Sequence, residues 1–150
     1  MAGTYRLFFV TALLVGPGLR AEKKLELNNL PPAVQKTIRD QSQGDEVKGI
    51  TQETEKGRTQ YEVETMRNGK HRDFLVDTKG VLLEVEEETA LDSIPVRAKE
   101  AITRKVAGGK LGMVETVTKD GAKLYEASYT ASNGKKHEVR VKPDGTQTQN

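Results

Sequence analysis

The sequence contains no cysteine and no tryptophan, only two histidines, and seven tyrosines and phenylalanines, three of them within the first nine positions. Without cysteine there is no disulfide framework and no thiolate nucleophile, so the fold must rest on its own apolar core. The two histidines, His71 and His137, each stand beside a turn signal with no second His or Cys at ligand spacing, which is too little for a metal centre. Beyond the opening segment only Tyr61, Phe74, Tyr125 and Tyr129 remain, too few to stack single-stranded nucleic acid. Ser42, Ser93, Ser128 and Ser132 lie in expected loops and strands, without the strained elbow or adjacent base that activates a nucleophile. Long apolar runs are scarce as well. The one from Leu7 to Val15 falls far short of the roughly 20 residues a spanning helix needs, so no stable membrane span is expected.

That short run follows Arg6 and leads through Gly16-Pro17-Gly18 to Ala21, the order of a secretory signal peptide, so residues 1–21 are expected to be a cleavable leader. No cysteine follows the run, which excludes lipid attachment at a bacterial lipobox. Export without disulfides suits the bacterial periplasm or the cell exterior better than a eukaryotic secretory route. The formal charge of +2 belongs to the leader: without Arg6 and Arg20, the chain carries 22 basic and 22 acidic residues. A basic field over the whole domain, the footprint of nucleic-acid binding, is therefore missing.

What the chain does have is an internal repeat. Residues 30–63 match residues 94–127 at a constant offset of 64, and after one inserted residue the offset becomes 65. Leu30-Pro31 falls on Ile94-Pro95, Ile38 on Ile102, Tyr61-Glu62 on Tyr125-Glu126, Asn68-Gly69 on Asn133-Gly134, and Val76 on Val141. Each copy opens with proline and then spaces Leu30, Val34, Ile38 or Ile94, Ala98, Ile102 at helical intervals. Beyond the helix the period becomes two, as in Tyr61, Val63, Thr65 and in Phe74, Val76, with turn dipeptides such as Asn68-Gly69 and Asp120-Gly121 between the runs. The expectation is an α+β protein of two tandem repeats, each one helix packed on a four-stranded antiparallel sheet, over residues 22–92 and 93–150. Glu86 to Ser93 would connect them, and the last strand would be Thr146 to Gln149. Units of this size bury little surface alone, so the two are expected to pair edge to edge or dock.

Sites with recognisable chemistry are wanting. Gly108-Gly109-Lys110-Leu111-Gly112 lacks the spacing of a phosphate loop and follows a helix, and Asp77-Thr78-Lys79-Gly80 lacks the alternating acids of a calcium loop. No catalytic residue, cofactor or metal is expected. Charge is unevenly shared, however: residues 22–93 hold 11 basic and 16 acidic residues, and residues 94–150 hold 11 and 6. Strand alternation gathers Glu62, Glu64, Asp73, Asp77, Glu84 and Glu86 on the open face of the first unit. It places Glu126, Glu138, Arg140 and Lys142 on that of the second. A solvated sheet face accounts for these carboxylates; an acidic face that meets a basic partner is the functional alternative.

The repeat with its Leu-Pro helix start, Tyr61-x-Val63, Gly69 and Phe74-x-Val76-Asp77-x-x-Gly80 resembles the PepSY-like family, including its β-lactamase-inhibitor-like branch. Tyr125-x-Ala127, Gly134, Val139-x-Val141 and Gly145 carry the same pattern more weakly, with Lys142-Pro143 where the first copy has Asp77-Thr78. The resemblance implies an exported, non-catalytic domain that binds or inhibits periplasmic or secreted enzymes such as peptidases, offering its sheet to a protein partner in the envelope or outside the cell. The candidate interaction surface is Glu62, Glu64, Asp73, Asp77, Tyr129, Arg140 and Lys142. A periplasmic small-ligand or cation-binding protein is the alternative, and the oligomeric state stays open.

Overall fold

The computed structural model describes residues 23–55 and 57–148. The leader expected over residues 1–21 lies outside the described residues, as does Gln149 of the expected last strand. Helix α1 spans Pro32–Gln41 and helix α2 Val96–Val106. Pro31 and Pro95 precede them with φ of −54° each, so the ring that cannot donate a hydrogen bond stands where a helix needs no donor. The helical spacing of apolar residues buries Val34 and Ile38 on α1, and Ala98, Ile102 and Val106 on α2.

The strands are β1 (Lys23–Lys24), β2 (Glu46–Glu55), β3 (Arg58–Arg67), β4 (Lys70–Asp77), β5 (Leu82–Glu88), β6 (Lys110–Lys119), β7 (Ala122–Thr130) and β8 (Lys136–Val141). They form one antiparallel sheet in chain order, seven long strands preceded by the two-residue β1. This overturns the expected pair of four-stranded units. Strand β5 pairs with β6 from Glu84 opposite Lys119 to Glu88 opposite Glu115, so no boundary divides the sheet. Glu86 to Glu88, expected in a connector, continue β5 because a free edge there would leave its N–H and C=O groups unpaired. The connection shrinks to residues 89–95, with a 3-10 turn at Leu91–Ser93. The fourth strand expected in the second half is, among the described residues, a single bridge between Val141 and Gln147, because Thr146 to Thr148 offer no apolar face to pack.

Both helices lie on one side of this sheet. Val34 and Ile38 pack with Ile50, Tyr61, Val63, Phe74 and Val76, and α2 packs with Val114, Tyr125, Ala127, Val139 and Val141. Val85, packed against the first cluster, stands opposite Thr118, which shares a face of β6 with Val114 of the second. Two turns fix the helices to the sheet. Gly80 (φ +85°) and Gly145 (φ +85°) lie so close to Ala33 and Arg97 that an added Cβ would stand 2.7 and 2.6 Å from backbone atoms of those helices. Only glycine fits both the space and the left-handed conformation.

Candidate functional site: the uncovered sheet face

With most apolar residues of the strands turned to the helices, the alternate positions define the other face, which also carries Leu75 and the fully buried Val117. It receives Glu62 and Glu64 from β3, Asp73 from β4, Glu84 and Glu86 from β5, Glu115 from β6, Glu126 from β7 and Arg140 from β8. The register sets them in rows across the strands. Glu64 stands opposite Asp73 and Asp73 opposite Glu86, while Glu115, Glu126 and Arg140 form another row. Although no helix among the described residues covers this face, its middle is nearly closed to solvent, with Asp73 2% exposed, Glu84, Glu86 and Glu126 3% each, and Glu115 6%. A right-handed twist accumulated over many strands, with register shifts at Val47/Gly49, Leu75/Val76 and Leu111/Val114, brings neighbouring rows together and lets long side chains shield one another.

Arg140 is the hub of this cluster. Its Nη2 lies 2.8 Å from Glu84 Oε1 and 3.2 Å from Glu86 Oε1, and its Nε donates to Glu126 Oε2 at 2.5 Å. Lys119 reaches Glu84 at 2.8 Å from the other side. One half of the cluster is thus neutralised, whereas Asp73 Oδ2, Glu86 Oε2 and Glu115 Oε1 are buried with no hydrogen-bond partner among the described residues. Asp73 Oδ1 accepts the backbone N–H of Thr65 at 3.0 Å.

The proton affinities follow from this layout. Burial, then the charges of Glu126 and Asp73, pushes Glu115 up to about 8. Burial, then Glu53 and Glu64, does the same to Glu62, also to about 8. Burial raises Asp73 to about 6 against the opposing hydrogen bond from Thr65, and burial followed by Glu115 and Glu126 lifts Glu86 well above the carboxylate range. Burial would raise Glu84 too, but Arg140 and Lys119 outweigh it and hold that carboxyl below its ordinary value. Neighbouring carboxyl groups are thus pushed in opposite directions, Glu86 towards the protonated acid and Glu84 towards the carboxylate. Among the described residues no three His, Cys, Asp or Glu side chains are gathered closely enough to hold a metal ion.

The structure brings together only some of the residues singled out in the sequence. Glu62, Glu64, Asp73 and Arg140 share the face with Glu84, Glu86 and Glu126. Asp77 closes the turn after β4 instead, its Oδ1 accepting the backbone N–H groups of Lys79 and Val81 at 2.8 Å each. Tyr129 lies on the helix side, packed against the second apolar cluster and stacked on His137 with ring centroids 5.3 Å apart. Lys142 is exposed beyond the end of β8. The face itself is not the solvated surface that alternation alone suggested, because the coiling that buries it is a property of the whole sheet.

Sequence reasoning passed over Glu115, although it alternates with Val114 and Thr116 as plainly as its neighbours do. It also missed a second ionic cluster on the helix side. Asp45, with no exposed side-chain surface, binds Arg67 Nε at 2.5 Å and Arg72 Nη1 at 3.3 Å, and Arg72 covers the Phe74 ring at 5.5 Å. The signal was Arg72 itself, a charge at the core-facing position two residues before Phe74.

No family model matches the chain, and no curated protein matches it. Solved structures do. A Bacteroides eggerthii protein provisionally assigned to the periplasm is similar at a TM-score of 0.62 and 16% identity, over 79% of this chain and 85% of its own. A DUF2874 family protein from Bacteroides uniformis gives 0.61 and 16%, over 78% and 85%. A BLIP-like protein from Bacteroides fragilis gives 0.56 and 15%, over 79% and 83%. The fold is BLIP-like. In this fold the helices occupy one side of the sheet, and the buried carboxyl groups occupy the side that no helix among the described residues covers. No helix among the described residues is long and apolar enough to cross a membrane.

Proposed function

We infer that the chain is an exported, non-catalytic protein-binding module of the periplasm or cell exterior, which modulates or inhibits an envelope or secreted enzyme such as a peptidase through the uncovered face of its sheet. The observation that carries this reading is the face itself: five acidic residues, each less than a tenth exposed, lie in the middle of a sheet surface that no helix among the described residues covers. A domain selected only for solubility gains nothing from desolvating carboxylates, whereas a recognition surface gains specificity from them. Support for export comes from the order of Arg6, the Leu7–Val15 run and Ala21, and from the periplasmic assignment of the similar Bacteroides eggerthii protein. Support for protein binding comes from the BLIP-like fold and from the PepSY-like pattern of residues 22–92 and 93–150.

The test is capture from an envelope extract of the native organism by the chain without residues 1–21, with identification of what is retained and assay of its activity with and without the chain. A specific envelope protein held through the sheet face, with changed activity, is the expected result. A chain that retains nothing, or a retained protein whose activity is the same with and without the chain, overturns the reading.

A further inference from the structure

The cluster on the uncovered face is only half neutralised, and the half that is complete shows what the other half lacks. Arg140 on β8 binds Glu84 and Glu86 of β5 and Glu126 of β7 with one planar guanidinium. Next to it, Asp73 Oδ2, Glu86 Oε2 and Glu115 Oε1 are buried on the same face with no hydrogen-bond partner among the described residues. Asp73 and Glu86 are direct cross-strand partners, and Glu115 stands opposite Glu88, one same-face step along β5 from Glu86. Such positions lie about 5 to 8 Å apart, within the span of a guanidinium whose five N–H groups point outward in a fixed fork. Leaving a buried acceptor unmet opposes folding through lost solvation, and more strongly if the group is charged, so three together call for a donor.

Resting on the reading of this face as a protein-binding surface, we propose that the partner presents a basic segment, one arginine of which enters between Asp73, Glu86 and Glu115 as a second guanidinium beside Arg140. The partner is therefore recognised by a desolvated cation and not by aromatic anchors. The groups facing the entering cation are Glu64 on β3, His71 and Asp73 on β4, Glu84, Glu86 and Glu88 on β5, Glu115 and Lys119 on β6, Glu126 on β7, and Glu138 and Arg140 on β8. Acids dominate this set, and burial favours their protonated forms, pushing Glu115 up to about 8 and raising Glu86 well above the carboxylate range. Arginine entry must displace those protons, so binding tightens as pH rises and is accompanied by proton release.

Calorimetric titration of the chain with an arginine-rich dodecapeptide tests this, using the same peptide with citrulline for arginine as the neutral control. The expected result is binding by the arginine peptide alone, about tenfold tighter at pH 8.5 than at pH 6.5, weakened at least tenfold by 300 mM salt, with a heat that depends on buffer ionisation. The double variant Glu86→Gln, Glu115→Gln lowers affinity at least tenfold. The double variant Asp40→Asn, Glu100→Gln, which removes two exposed helix carboxylates, changes it less than twofold. Thermal melts confirm that both fold. Equal binding of the citrulline peptide, undiminished binding by the Glu86/Glu115 variant, or no binding overturns the proposal, as does calcium chloride binding at lower concentration and being lost with that variant. An envelope partner held equally well by the Glu86/Glu115 variant also overturns it, while leaving the protein-binding reading standing.

Discussion

Glu62 and Glu115 each take up a proton near pH 8 in the folded chain, against an ordinary value of 4.5, because burial and neighbouring carboxylates oppose their ionisation. Their folded-state affinity for the proton is raised, so the stability they allow is complete below about pH 4.5 and is lost as pH climbs towards 8. Replacing Glu115 by Gln should therefore stabilise the chain by about 1–3 kcal/mol at pH 8.5 and leave it unchanged near pH 4. Urea unfolding at the two pH values checks this, and a variant less stable at pH 8.5 would contradict it. Asp45 predicts the opposite behaviour. Its carboxylate serves both Arg67 and Arg72, the latter with only 9% of its side chain exposed, so Asp45→Ala takes from a buried cation the nearer of its two carboxylates, the other being Glu87 at 3.5 Å, and should cost about 2–3 kcal/mol in the same assay. Which residues share a face was legible from alternation alone, as Glu62, Glu64 and Asp73 demonstrate. Their burial was not, since it depends on strands that are distant in sequence.

Turns tie the helices to the sheet with unequal strictness, and glycine substitutions separate the two demands on them. Gly108 has φ +81° with open space where a Cβ would go, so Gly108→Ala should cost only the left-handed conformation, about 1 kcal/mol. Gly80 has the same kind of conformation, but a Cβ there would stand 2.7 Å from the Ala33 carbonyl group, so α1 must shift. Gly80→Ala should lower stability by about 3 kcal/mol or more, and Gly145→Ala, facing Arg97, by a similar amount; thermal melts that find either variant equal to Gly108→Ala would refute the close approach. At this scale the sequence was informative about local chemistry. Asn68-Gly69 and Asp120-Gly121 signal hairpin turns, and both residues of each pair have positive φ. The joining of β5 to β6 was hidden for a different reason: a period of two reports the face of a residue, never the strand across from it.

At the scale of the whole chain, the two apolar clusters are separate, one under α1 and one under α2, yet the sheet that carries them is unbroken. Either half alone would bury only about 60% of its unfolded surface, too little to stand securely. The β5–β6 ladder, the Lys119–Glu84 ion pair and the reach of Arg140 from β8 to Glu84 and Glu86 on β5 all link the halves. Unfolding one half would expose the β5 or β6 edge and leave Glu84 and Glu86 without their cations, so neither half should open independently. Urea unfolding is thus expected to show a single transition, coincident by circular dichroism and tyrosine emission. Val63→Ala, in the first cluster, and Val139→Ala, in the second, should each move that one midpoint downward without splitting it. Each should cost about 1–3 kcal/mol for its emptied volume, by analogy with larger core truncations. A variant that melts in two steps, with the unmutated half retaining its wild-type midpoint, would mean that the continuous sheet does not couple its two cores.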